Sequence, residues 1–367
     1  MARADRRVRA YFGWLLATAA VIVGGCFLTN CLVDPLWYLG GNVLTGVNYP
    51  FNERLARIVR LLPRLGEYDC LVIGTSRATL LPEENIPGYR CYNLSFSDGH
   101  AAEYLPYADY LRTRGYAPKL LIVDVRRSDL LGPPLPVEVP DFIKTGGSAP
   151  SIFPTYLSAD ALRFSIRTLR RDGPHHRYYD EDFHAQLEPR GRRRWYNPPV
   201  PIKPAEPPFD VHPERADLYV QLRQKFPTAR AIAYLPPESA WRIAAFSLTG
   251  ELDAYLAAVG KIAAAYDRFL DFALPSPLTE SKDPKVTYDG SHYSRPANAQ
   301  VAAALLADNP GVGLDWRGRE VADIAGIYRT RLTEFIPKAN AEEKKDRNEK
   351  KDKDDKQEKK PAPAESE

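Results

Sequence analysis

Apolar positions fall along this chain in three regimes. The first is continuous: residues 11–33 hold 23 positions without a charged side chain, enough to cross a bilayer core at about 1.5 Å per residue. The second, from about residue 50, alternates short apolar runs with helical spacing. Residues 70–73, 90–96, 119–125, 229–234 and 269–273 read as strands. Between them Leu55, Ile58, Val59 and Leu62, then Tyr104, Leu105, Ala108 and Leu111, recur at helical spacing. So do Ile243, Phe246, Leu252, Tyr255, Val259 and Ile262 across 238–266, with Gly250 as a break, while 218–226 and 297–307 complete the helices. Strand alternating with helix predicts an α/β domain, a flavodoxin-like three-layer α/β/α sandwich with a parallel five-stranded sheet, preceded by one transmembrane helix. The third regime is residues 341–367, almost wholly Lys, Glu, Asp, Pro and Ala. Such a segment cannot bury enough apolar surface to offset its ordering entropy and is expected to be disordered.

The alternation stops between 132 and 209. Only 157–170 keeps helical spacing there, and the centre interleaves charge with aromatics in Arg177-Tyr-Tyr-Asp-Glu-Asp-Phe-His184 and Arg190-Gly-Arg-Arg-Arg-Trp-Tyr196. A connection this long is functional or mobile: a surface for glycan or anionic polymer, or, as the default, a solvated insertion packed on the domain. His175 and His176 are adjacent without a third partner and read as surface residues. The organisation expected is a cytoplasmic stub and anchor (1–33), a juxtamembrane linker whose aromatics rest at the interface (34–51), a domain (52–340) with its insertion at about 132–209, and the tail.

Charge changes this picture at the ends. The net charge of +3 is too small to argue for nucleic acid, and 44% hydrophobic content is ample for a core. Arg3, Arg6, Arg7 and Arg9 precede the apolar run and no arginine follows it directly, which places the N-terminus in the cytoplasm and the domain outside. The expected location is the bacterial inner membrane, single-pass, with the domain facing the periplasm. A cleaved signal peptide and a lipoprotein signal ending at Cys26 are the rival readings; apolar sequence continuing through Val33 favours an uncleaved anchor. Cys26 and Cys31 fall in the anchor. Cys70 and Cys91 lie on neighbouring strands, where an oxidising compartment permits a disulfide, but two buried free thiols are expected because a direct cross-strand bridge strains the ladder. No Cys/His cluster has metal-ligand spacing, and no metal or cofactor is expected.

The chemistry concentrates where the first strand ends, in Cys70-Leu-Val-Ile-Gly-Thr-Ser-Arg77. Ligand crevices lie beyond the carboxyl ends of such strands, so Ser76 stands where a nucleophile belongs. It needs a base, and Tyr288-Asp-Gly-Ser-His-Tyr293 offers His292, with Asp289 three residues earlier to hold the ring. These two blocks, with Asn93-Leu-Ser-Phe-Ser-Asp-Gly99 between them, resemble the SGNH (GDSL-like) hydrolase superfamily, and most nearly its membrane-anchored, envelope-facing members such as the proteins of alginate acetylation and teichoic-acid alanylation.

The resemblance implies Ser76 as nucleophile, His292 as general base and Asp289 as its orienting partner. It further implies an oxyanion hole from the backbone amides of Ser76 and of Gly99 or, with a one-residue slide, Asp98. The family's asparagine after the third strand is replaced here: Ile122-Val-Asp-Val-Arg-Arg-Ser-Asp129 puts Ser128 in its place, so Arg77 or Arg126 would supply the missing positive field. Arg77 also suits a carboxylate or phosphate on the acceptor. The function implied is an extracytoplasmic serine esterase or O-acyltransferase acting on an envelope or exported polysaccharide, its partners an acyl donor, the polysaccharide acceptor and a membrane acyltransferase or polysaccharide-export component. The alternative is a catalytically inactive glycan-binding or scaffold component of a polysaccharide assembly complex.

Overall fold

Hydrophobic burial on both sides of the strands sets the architecture. Leu71, Ile73, Leu121, Val123, Ala231 and Ala233 enter one core, while Cys70, Val72, Leu120, Ile122, Ile232 and Tyr234 enter another, the signature of a sheet covered on both faces. The computed structural model describes residues 2–49, 51–172, 177–180, 182–187, 196–206 and 210–358, with side chains from residue 6 to residue 342. His175, His176 and the basic run 190–195 lie outside the described residues.

In chain order, α1 (Ala2–Val33) contains the segment Arg6–Val33, long and apolar enough to cross a membrane. Then come α2 (Glu53–Leu61), β1 (Cys70–Ile73), β2 (Cys91–Asn93), α3 (Ala101–Thr113) and β3 (Leu120–Asp124). The insertion contributes α4 (Asp141–Lys144), α5 (Ile152–Tyr156), α6 (Ala159–Leu169) and an antiparallel hairpin of β4 (Arg177–Tyr179) and β5 (Ala185–Leu187). The regular pattern resumes with α7 (Ala216–Lys225), β6 (Arg230–Leu235), α8 (Ala240–Ser247), α9 (Leu252–Ala265), β7 (Arg268–Asp271), α10 (Arg295–Leu306), β8 (Leu314–Asp315) and α11 (Val321–Glu358). Gly250, at φ 87°, separates α8 from α9, a left-handed turn that costs glycine little.

The main sheet has six strands in the order β2-β1-β3-β6-β7-β8, parallel except for the last pair. The expected five-stranded, all-parallel sheet is corrected here. β8 is two residues long and carries no alternation to read; the buried Arg268 guanidinium holds it to β7 through Asp315 at 2.9 Å. α11 was also not foreseen. Its Ile324, Tyr328, Leu332 and Phe335 are buried, with Phe335 edge-on to Trp241 at 5.0 Å, and its backbone continues as helix into the charged segment assigned to a tail.

Two further expectations are revised. Cys70 and Cys91 are bonded, not free thiols. They are register partners on the first rung between β1 and the edge strand β2, so their side chains leave the same face where the ladder begins. In residues 34–49, expected as a juxtamembrane linker with its aromatics at the interface, Trp37 and Tyr49 are buried in the protein. Asp34, Leu36, Trp37 and Asn48 are buried, Trp37 lies 4.6 Å from the Phe183 ring and 6.0 Å from that of Tyr179, and Asn48 exchanges backbone bonds with Tyr179. The insertion and the chain leaving α1 therefore form one packed unit.

Candidate active site

The turn after β1 is built to present Ser76. Asp124, at the end of β3, accepts from the Thr75 amide at 3.0 Å and the Thr75 hydroxyl at 2.6 Å through one carboxylate oxygen, and the Arg77 amide donates to Thr75 Oγ1 at 3.1 Å. Gly74 makes this turn fit: a Cβ there would stand 2.4 Å from Asp124 Cβ and 2.6 Å from Ala78 Cβ.

The turn of Asp289 and His292 meets Ser76 through His292, 216 residues away. Locally the sequence explains their geometry. One Asp289 oxygen accepts the Ser291 and His292 amides, both at 2.8 Å, an Asx turn that fixes the loop. The other lies 3.0 Å from His292 Nδ1, and His292 Nε2 lies 2.9 Å from Ser76 Oγ. A carboxylate only accepts, so Nδ1 donates and Nε2 is left to accept the serine proton. The start of α8 anchors the loop: the Ser239 amide donates to the Gly290 carbonyl at 2.7 Å and Arg242 to that of Asp289 at 3.0 Å.

Burial pushes the His292 imidazole down, Asp289 pulls it up, and Arg177 and Arg77 push it down again; the net is a pKa below the ordinary 6.5. Burial opposes the Asp289 charge, but the ring and amides of its own turn outweigh that and hold the carboxyl far below the usual range. The pair is thus a neutral imidazole beside a fixed anion at neutral pH, the state a general base requires.

Arg177 was not singled out from the sequence, and it is central. Carried by β4, it is 7% exposed and donates to the Ser76 carbonyl at 2.9 Å, Thr79 Oγ1 at 2.9 Å and Ser97 Oγ at 3.1 Å. Glu53 lies 4.0 Å from it and accepts from Tyr179 Oη at 2.5 Å and from the Ser97 amide. Burial works to raise the Glu53 carboxyl, yet Arg177, Tyr179 and Ser97 bring it below its ordinary value. A buried arginine inside an irregular stretch carries no periodic signal; only its place among charge-and-aromatic residues hinted at a role.

The remaining expected residues divide. Asp98, at φ 59°, lines the cleft beside Ser76. Gly99 does not: its amide donates to the Phe96 carbonyl at 3.1 Å, and a Cβ would stand 2.6 Å from Tyr104 Oη and 3.0 Å from the Gly74 carbonyl. Its glycine serves close packing against the end of β1. Arg126 is engaged with the Asp98 carbonyl at 2.9 Å, the Asp98 carboxylate at 2.6 Å and Ser128 Oγ at 2.5 Å, so it braces the turn carrying Asp98. Arg77 is directed toward Glu238, 3.6 Å away, which also accepts from Arg127 at 2.6 Å. Ser76 opens on two sides: a cleft of about 1370 Å³ walled by Glu53, Phe142, Phe164, Arg177 and Tyr288, and a polar recess of about 190 Å³ walled by Arg77, Arg126, Arg127 and Ser128.

Among the described residues, one group has metal-like proximity, Glu83, Glu84 and His184. Glu84 is already paired with Arg295 at 2.5 Å. No family model matches this chain, and no curated protein matches it. Among solved structures, the chain is similar to a Streptococcus pneumonia protein proposed to be a platelet activating factor, at 10% identity and a TM-score of 0.31, over 81% of this chain and 96% of the other.

Proposed function

We propose that this chain is a membrane-anchored, SGNH-like serine esterase or O-acyltransferase that works outside the cytoplasm on an envelope or exported polysaccharide. The observation that carries the reading is the continuous hydrogen-bonded line Ser76–His292–Asp289 opening onto the large cleft. His292 takes the Ser76 proton as the hydroxyl attacks an acyl carbonyl, and gives it to the departing oxygen; the acyl group is then on Ser76. An acceptor hydroxyl, deprotonated by the same ring, completes the transfer. The Ser76 and Asp98 amides are the oxyanion donors, each worth roughly 3 kcal/mol in a dry site, with Arg177 and Arg77 supplying positive field. The cleft exceeds the roughly 300–1,000 Å³ of small-molecule sites and suits a polymer segment. The Cys70–Cys91 disulfide fits an oxidising compartment, and α1 fits the anchor.

One observation favours the catalytically inactive, glycan-binding or scaffold alternative. Ser128, in the place of the family's asparagine, is tied to Arg126, which leaves the oxyanion hole without a third aimed amide. Full-length protein given an acetyl ester and oligosaccharides decides between the readings, with acetyl release and acetyl transfer measured separately. Acetylated oligosaccharide is the result expected. Release alone would sink the transfer reading, and neither product from a folded protein would favour the scaffold.

The lowered His292 pKa predicts a pH profile. The base form is present above the folded pKa, so kcat/KM should be flat through neutral pH and fall only below 6.5. Arg177→Gln removes a charge that lowers this pKa, and the acid limb should move upward. A limb that stays fixed would remove Arg177 from the electrostatics of the base.

A further inference from the structure

α1 is bare from residue 6 to residue 25, and from Cys26 onward it is partly covered by the insertion. Phe27 meets the Phe153 ring at 5.5 Å, Asn30 donates to the Tyr156 carbonyl at 2.8 Å, and Ser165 donates to Asn30 Oδ1 at 2.7 Å. The uncharged bare segment, residues 10–25, is 16 positions long, or about 24 Å at 1.5 Å per residue. A hydrocarbon core is about 30 Å thick. The missing length must come from the turns already packed on α5 and α6, so those helices stand at the depth where the core meets the headgroups.

Their outward faces are composed for that depth. Phe153, Leu157, Ile166 and Leu169 are exposed by 61%, 37%, 39% and 45%. On α6, Leu162, Ile166 and Leu169 form one strip, flanked by the exposed Arg163 and Arg170, an apolar stripe with basic edges as interfacial helices have. On the other flank of the exit, the Val43 amide donates to the Leu32 carbonyl at 3.1 Å, which folds a loop with exposed Leu39, Val43 and Leu44 against the end of α1.

We propose that α5, α6 and the loop 39–44 form a collar seated in the outer headgroup layer of the bilayer that α1 crosses. The occupant of this apolar surface is lipid, and the collar is continuous with the span itself. α6 then separates membrane from site: Ile166 and Leu169 face lipid while Phe164, on its other side, walls the cleft that reaches Ser76. The cleft is held at the membrane surface, where an acyl donor or acceptor carried on a lipid would present its headgroup. The inference rests on α1 being a membrane span.

The test uses the full chain, with Cys26 and Cys31 replaced by alanine, in nanodiscs of phosphatidylethanolamine and phosphatidylglycerol. A fluorophore is placed singly at Phe153→Cys, Ile166→Cys, Leu44→Cys, Val21→Cys in the span, and Leu248→Cys, exposed at the end of α8. All are exposed positions, so the fold should tolerate the label. Spin-labelled lipids should quench the three collar positions strongly, as they quench Val21, and leave Leu248 bright. Collar positions no more quenched than Leu248, with Val21 quenched, would overturn the collar and leave the anchor standing. Val21 left unquenched would overturn the anchor and the collar with it. Collar positions that stay bright in nanodiscs but cross-link to a protein in native membranes would place a protein there instead of lipid.

Discussion

Ser76→Ala is expected to abolish labelling by a fluorophosphonate and to lower turnover of an activated acetyl ester by at least about 10³-fold. The hydroxyl is the group of the line placed to take the acyl group, since His292 stands 2.9 Å away as its base with its other nitrogen held by Asp289. His292→Ala should match it, and the double variant should be no slower than either single one, because the residues act as a unit. Asp289→Asn should retain the fold and lose most activity: an amide at that place can offer its N–H to Nδ1 and leave Nε2 protonated toward Ser76. Labelling by mass spectrometry, beside a melting curve for each variant, checks this. Ser76→Ala that still labels would remove Ser76 as nucleophile, whereas a folded wild type that never labels would favour the scaffold reading.

Gly74→Ala should be strongly damaging for a single added methyl. The added carbon would stand 2.4 Å from Asp124 Cβ and 2.6 Å from Ala78 Cβ. Both are first atoms of buried residues, fixed to their backbones, so β3 or the turn after β1 must shift. Overpacking of this kind costs about 1–3 kcal/mol or more. The displacement falls two residues before Ser76 and on the carboxylate that holds Thr75, so activity should fall further than stability accounts for. Gly99→Ala is the comparison. Its nearest obstacle is the Tyr104 hydroxyl at 2.6 Å, the far end of a side chain and not an atom fixed to a backbone, and a smaller loss is expected. Equal melting temperatures and equal labelling for Gly74→Ala and wild type would refute the account of the turn.

The candidate site was legible in the sequence to the extent that its parts are local. Asp289 and His292 sit in one Asx turn, three residues apart, and such a turn is written in adjacent residues. Ser76 stands three residues beyond the last of four buried strand residues, where the end of an apolar run marks the end of the strand. The element alternation was legible for the same reason, since burial on a strand or one helix face imposes a period. Arg177 was not, because its donors meet a carbonyl 101 residues away and no local pattern records that meeting. Gly99 and Arg126 were given roles by analogy of position; the structure shows an engaged amide and a guanidinium bracing a turn, details set by packing.

What the sequence by itself determined is therefore most of the periodic elements, α11 excepted, the apolar length of α1 and the two short blocks that carry Ser76 and the Asp289–His292 turn. Only the tertiary structure decided that Cys70 and Cys91 are bonded across one rung, that a sixth strand runs antiparallel, and that the insertion delivers Arg177 beneath Ser76 while gripping the end of α1. The physical reason is range. Periodicity and turn chemistry act over a few residues, whereas a disulfide, a buried guanidinium and an insertion packed on the end of α1 depend on which distant segments the hydrophobic core brings side by side.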